Sequence, residues 1–165
     1  MNRLLFPLLG LAVVGLILVG ALYSNRGSRM ELHGEINKVR AHALDERSSV
    51  VVVDFRLSNS ADYPFMIRTV QLFLDSANGT APAEGVVVAE VDARRLFEAL
   101  PELGPKYNDS LKIRDRLAPK AIDDRMIAAR FELPVAELNR RARFRLQIEE
   151  VDGAISEITE AKSKP

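Results

Sequence analysis

The 165-residue chain has no cysteine, no tryptophan and only two histidines, His33 and His42. With no thiol there is no disulfide, no thiolate nucleophile, no Cys-ligated metal and no lipoprotein attachment through an N-terminal cysteine. The histidines stand nine residues apart on an extended stretch. That spacing puts them on opposite faces and up to roughly 30 Å apart, too far to share a metal. No nucleophile elbow, phosphate-binding glycine loop or dinucleotide fingerprint occurs. Neither catalysis nor a cofactor is therefore expected. Aromatic residues make up only 6% of the chain and form no stacking face among its arginines, which argues against nucleic-acid binding.

Paired carboxylates are present but poorly placed for chemistry. Asp123-Asp124 and Glu149-Glu150 are adjacent residues, and neighbours on a strand point to opposite faces. Asp152-Gly153 is accounted for by a hairpin turn. Asp75-Ser76-Ala77-Asn78-Gly79 lacks the alternating oxygen ligands of an EF-hand loop.

Charge is missing altogether from residues 4–23, LLFPLLGLAVVGLILVGALY. Twenty helical residues span about 30 Å, the thickness of a bilayer's hydrocarbon core. Thirteen of them are Leu, Ile, Phe or Val, which favours insertion by about 4–8 kcal/mol. Pro7 falls in the first turn, where a missing N–H costs little. A cleaved signal peptide remains an alternative, because Val19-Gly20-Ala21 offers small residues to a peptidase. The run is nevertheless longer than the roughly 7–15 residues of a signal core, so a retained single-pass signal anchor is expected. Arg3 precedes the segment while Arg26 and Arg29 follow it, which leaves the positive-inside count nearly balanced. A three-residue leader (1–3) before a large C-terminal domain suits an anchor with the domain on the extracytoplasmic, periplasmic side.

After the anchor (4–23) and a linker (24–30), residues 31–160 have room for one domain with a real core, followed by a short tail (161–165). Setting aside Arg3, Arg26 and Arg29, 20 basic residues face 23 acidic ones. The domain is mildly acidic, again a poor general match for nucleic acid.

Its pattern is mostly of period two. In Val50 to Ser58, Val51, Val53, Phe55 and Leu57 share one face while Asp54, Arg56 and Ser58 share the other, a half-buried strand. Ile36 to His42 is a weaker strand before it, with Asp45, Glu46 and Arg47 turning between them. Asn59-Ser60-Ala61-Asp62 ends the strand, and Pro64 holds Tyr63 extended. Phe65 and Ile67, then Val70, Leu72 and Leu74, alternate in opposite parity. The slip near Arg68-Thr69 calls for a β-bulge or a change of sheet. Asn78-Gly79 makes a turn and Val86 to Val91 reads as a strand. Asp92 then caps a short helix carrying Leu96, Phe97 and Leu100, ended by Pro101 and Gly104. Residues 106–124 read as a long decorated loop with a strand hint at Leu111 and Ile113. Ile127 to Leu133 and Phe144 to Ile148 alternate clearly, and Asp152-Gly153 turns into Ile155 to Thr159.

About seven strands with one or two short helices predict an antiparallel β-sandwich of immunoglobulin-like type, preceded by a single transmembrane helix. The residues VVVVDFRLSN (50–59), DYPFMI (62–67), VQLFLD (70–75), Asn78-Gly79 and Glu84-Gly85 together resemble the WHy domain of type 2 late-embryogenesis-abundant proteins. The resemblance covers about 36 residues and departs from the family's Asn-Pro-Asn, since Ser60 follows Asn59. It implies a fibronectin-like sandwich and a stress-protective or lipid-contacting role.

Candidate contact residues are Leu96, Phe97, Lys106 and Tyr107 in the central excursion, because loops on a sandwich carry function more often than its core. The basic run adds Arg140, Arg141 and Arg143, suited to an acidic partner or anionic lipid. The expected function is non-enzymatic. It is a membrane-anchored module that binds or scaffolds an envelope protein, with a protective, lipid-contacting domain as the alternative.

Overall fold

The computed structural model describes residues 14–16, 19 and 32–161. Most of the 4–23 segment, the linker and the end of the tail lie outside the described residues. Residues 14–16 and 19 are helical, and among the described residues no helix is long and apolar enough to cross a membrane. The chain divides into two compact units, Met1–Met30 and Glu31–Pro165.

The second unit is mainly antiparallel β. Its strands are β1 (His33–Ala43), β2 (Ser49–Ser58), β3 (Phe65–Ser76), β4 (Ala83–Val87), β5 (Asp109–Ser110), β6 (Arg116–Leu117), β7 (Ile122–Phe131), β8 (Arg141–Glu150) and β9 (Ile155–Thr159). Two short helices, α1 (Glu90–Ala99) and α2 (Val135–Asn139), and a 3-10 turn at Pro101–Leu103 complete it. One layer runs β1-β2-β7 and the other β3-β8-β9. Strand β4 belongs to both: Ala83 to Gly85 pair with Leu74 to Leu72 of β3, whereas Val86 and Val87 pair with Arg130 and Ala129 of β7. Strand β5 runs parallel to the other end of β7, so both ends of that edge are paired. This removes much of the unpaired edge that invites aggregation.

Gly85 sits where β4 passes from one layer to the other. A Cβ there would stand 2.6 Å from the Phe131 ring and 3.0 Å from Ala129, so only glycine lets the strand lie this close. The Phe131 ring in turn meets Phe144 of the other layer, with centroids 5.9 Å apart and planes tilted by 55°, a favoured aromatic geometry.

Strand β2 differs from the half-buried strand its alternation suggests, because Ser49 to Phe55 are all buried. Val51, Val53, Phe55 and Leu57 form the inner face. Val50 and Val52, on the other face, join Ala93, Leu103, Met126 and Ala128 in a second cluster, against which Val88, Leu96, Phe97 and Leu100 pack. The central excursion is thus a third layer over the outside of β2 and β7. Burying a valine in this way contributes about 1.5–3 kcal/mol.

Two local expectations are corrected in the same region. The strand expected to reach Val91 stops at Val87, and α1 begins at Glu90. Asp92 is not the cap: Ala89 occupies that position without a side-chain bond. Instead Glu90 and Asp92 lie in the first turn, where negative charge favours the helix dipole. Burial opposes ionisation of Glu90, but hydrogen bonds from Ser110 and Lys106 outweigh it and hold its pKa below the usual carboxylate range. Those bonds tie the helix start to the chain entering β5.

The stretch after β2 is a fastening. Asn59 is buried, and its amide donates to the carbonyls of Tyr63 (2.9 Å) and Ala118 (3.1 Å) while its Oδ1 accepts the Ala61 N–H at 3.0 Å. One side chain closes its own turn and pins it to the loop after β6. Downstream, the register of β3 against β8 shifts between Ile67 and Thr69. This is the bulge that the change of parity requires.

Glu150, at the end of β8, is buried, and no cation neighbours it among the described residues. Burial pushes its pKa up and Asp152 adds to this, against a hydrogen bond from the Met66 backbone. A raised folded-state pKa means that the native state holds the proton longer than the unfolded chain does. Stability therefore falls as pH rises from the unfolded value of about 4.3 through the higher folded one. E150Q is expected to raise the denaturation midpoint at pH 7 and to flatten this acid-side slope. An unchanged pH profile would show that the carboxyl is solvated.

Candidate functional site

Arg40 on β1 organises the outer surface of the third layer. Its guanidinium donates to Asp54 Oδ2 on β2 at 2.7 Å, to the Leu103 carbonyl at 2.6 Å and to the Pro105 carbonyl at 2.9 Å. The side chains of Arg40 and Asp54 are only 10% and 5% exposed. Phe97 and Tyr107 lie against the same guanidinium, at 5.3 and 5.1 Å from their ring centroids, within cation–π range. Asn108 Nδ2 donates to the remaining oxygen of Asp54 at 3.0 Å. One buried cation thus holds the 3-10 turn, the chain after Gly104 and two aromatic rings onto β1 and β2.

The four contact residues expected in the excursion separate here. Leu96 and Phe97 are half-buried and turned into the cluster over β2, because the helix that carries them needs its apolar face covered. Lys106 is half-buried between Glu90 (3.1 Å) and Asp109 (3.2 Å). Burial opposes its charge, but these two carboxylates hold its pKa above the usual lysine value. Tyr107 is 57% exposed and takes the Lys38 ammonium 5.0 Å from its ring. Asn37, Lys38, Asp54, Tyr107, Asn108 and Asp124 line a shallow recess of about 270 Å³. Arg40, Asp54 and Asn108 carry no marker in the sequence. Arg40 and Asp54 are brought together by the β1–β2 register, in which Lys38 pairs with Asp54 and Arg40 with Val52.

The basic run is largely neutralised. Arg141 pairs with Glu160 at 2.6 Å, Arg143 with Asp75 at 2.8 Å, and Arg145 with both Asp75 (2.9 Å) and Glu157 (3.1 Å). The hydrogen bond from Arg143, with help from Arg145, holds Asp75 below the ordinary carboxylate range despite its burial. Arg140 alone of this group has no carboxylate partner among the described residues. It lines a cavity of about 460 Å³ with Leu74, Ser76, Asn78, Thr80, Ala81, Ala83, Leu133 and Glu137. His33 is exposed and His42 half-buried, near opposite ends of β1. Among the described residues no three His, Asp or Glu side chains converge.

Among known proteins, no family model and no curated protein matches the chain. Solved structures similar in outline include two proteins of low identity. An uncharacterized beta-sandwich protein from Clostridium difficile 630 is 7% identical over 79% of this chain and 86% of its own, with a TM-score of 0.40. The archaellum periplasmic stator protein FlaG from Sulfolobus acidocaldarius is 10% identical over 78% of this chain and 98% of its own, with a TM-score of 0.33.

Proposed function

We propose that the chain is a non-enzymatic binding or scaffolding module: an immunoglobulin-like sandwich, anchored in the membrane by residues 4–23, that meets an envelope protein outside the cytoplasm. The observation that carries this reading is Tyr107, an exposed aromatic held beside a buried arginine whose two terminal nitrogens are engaged by Asp54 and two backbone carbonyls. Tyrosine is favoured at the energetic centres of interfaces. A ring already held by Lys38 and Arg40 loses little further side-chain freedom on binding. The half-buried Lys106 and the Asn108 bond to Asp54 keep its neighbours in place.

The alternative, a protective domain touching anionic lipid, draws on the WHy-like residues 50–85 and on the basic run. Each unpaired arginine near an anionic surface contributes about 1 kcal/mol. With Arg141, Arg143 and Arg145 paired to carboxylates, Arg140 is left to act alone, which favours the protein partner.

The test uses the full-length chain in intact cells. With Ser163→Cys, a membrane-impermeant maleimide is expected to label the cell-associated chain. A photo-crosslinking residue at position 107 is expected to give one discrete adduct, absent when it is placed at Glu132. Labelling only after lysis would sink the extracytoplasmic placement. A chain free in the medium would sink the anchor. No adduct at position 107 would sink the Tyr107 surface.

A further inference from the structure

The cavity at the C-terminal end of β3 has a chemical character distinct from the Tyr107 surface. It is lined by the apolar side chains of Leu74, Ala81, Ala83 and Leu133, by Ser76, Asn78 and Thr80, and by two formal charges, Glu137 and Arg140. These two are three residues apart across the end of α2, a spacing at which opposite charges ordinarily pair. Here neither has an ion-pair partner among the described residues, whereas the adjacent Arg141, Arg143 and Arg145 are each matched to a carboxylate. An acid and a base that line one cavity without meeting present two separated charges to whatever enters. A volume of about 460 Å³ falls within the range of small-molecule sites.

We infer that this cavity binds a small amino-acid-type zwitterion, with its carboxylate on Arg140, its ammonium on Glu137 and an aliphatic side chain against Leu74 and Leu133. A planar guanidinium suits a carboxylate, which can accept two parallel N–H bonds from it. The carboxylate of Glu137 suits an ammonium, which only donates. The hydroxyls of Ser76 and Thr80 and the amide of Asn78 can serve the remaining lone pairs and protons. The chain from Asn78 to Ala83 forms one wall, so a bound ligand would bridge the β3–β4 connection to α2.

The test is calorimetric titration of the full-length chain with L-leucine, leucinamide and N-acetyl-leucine, which separate the two charges. Saturable binding of L-leucine is expected, with each derivative weaker by about tenfold or more because one of the two charge-assisted pairs is then lost. R140M is expected to abolish leucine binding, and E137Q to reduce it while leaving N-acetyl-leucine unaffected. Both positions are exposed, so neither variant is expected to unfold the chain, and a thermal melt checks this. No saturable heat from leucine up to about 10 mM, weaker than which affinity is negligible, would overturn the proposal. So would equal binding of N-acetyl-leucine, which would mark a site for anions alone. Leucine binding that survives R140M would place the ligand elsewhere and overturn it as well.

Discussion

Asp54→Ala is expected to lower the unfolding free energy of the full-length chain by about 3–5 kcal/mol, because it strands a buried guanidinium. Arg40 would keep its bonds to the Leu103 and Pro105 carbonyls but lose the anion that compensates its charge. Asn108 would lose its acceptor at the same time. A loss of this size is a large share of the roughly 5–15 kcal/mol that holds a domain together. It should also be local in origin, so amide exchange would quicken first across residues 103–108, before the strands open. Arg56–Asp124 is the matched control. It joins the same strand β2 to β7 with a bidentate bond (2.7 and 2.9 Å), yet its side chains are 49% and 43% exposed. Solvent and salt screen such a pair, so Asp124→Ala should change stability little. Equal losses for Asp54→Ala and Asp124→Ala in a urea melt would show that the Arg40 site is solvated and that the outer layer is held by apolar packing alone.

Val52→Asp is expected to abolish folding or come close to it, with a loss of about 4 kcal/mol or more. Alternation along β2 puts Val52 on the side of Asp54 and Arg56, where a charge would be harmless. In the folded chain Val52 is completely buried beneath Ala93 and Leu103, and the cation opposite it in the β1–β2 register, Arg40, is already committed to Asp54 and two backbone carbonyls. Ile122, at the start of β7, is 68% exposed, so Ile122→Asp should stay within about 0.5 kcal/mol of the parent. Circular dichroism and a denaturant melt of both variants decide the matter. A folded, stable V52D chain would mean that α1 and the 3-10 turn lift away from β2 at little cost.

The two substitutions mark where sequence reasoning succeeds and where it stops. Period-two patterning was enough for Phe144, Leu146 and Ile148 on β8, for the hairpin at Asp152-Gly153 and for the phase change that becomes the bulge between Ile67 and Thr69. Each depends on neighbours along the chain or on the pleat, which alternates whatever the rest of the molecule does. Patterning also separated the second unit as mainly antiparallel β with few short helices. It could not show that β2 is buried on both faces. That depends on residues 90–103 returning to lie over Val50 and Val52, and a covering layer leaves no mark on the strand it covers beyond a run of valines.

The same limit applies to the sites. Tyr107 stood out as an aromatic in a polar loop, and Arg140 as part of a dense basic run. Leu96 and Phe97 stood out equally, and only the packing of α1 turns them inward. The run Arg140 to Arg145 reads as one positive patch in the sequence. Its partners Asp75, Glu157 and Glu160 lie 12 to 70 positions away and arrive through the pairing of β8 with β3 and β9. Composition by itself excluded thiol chemistry, and local pattern by itself determined strands and turns, because both are properties of the chain at short range. Which charges are cancelled, which valines are covered and which arginine is left facing a cavity were decided by the tertiary structure. Coulomb attraction and burial act between whatever residues the strand register brings within a few ångströms.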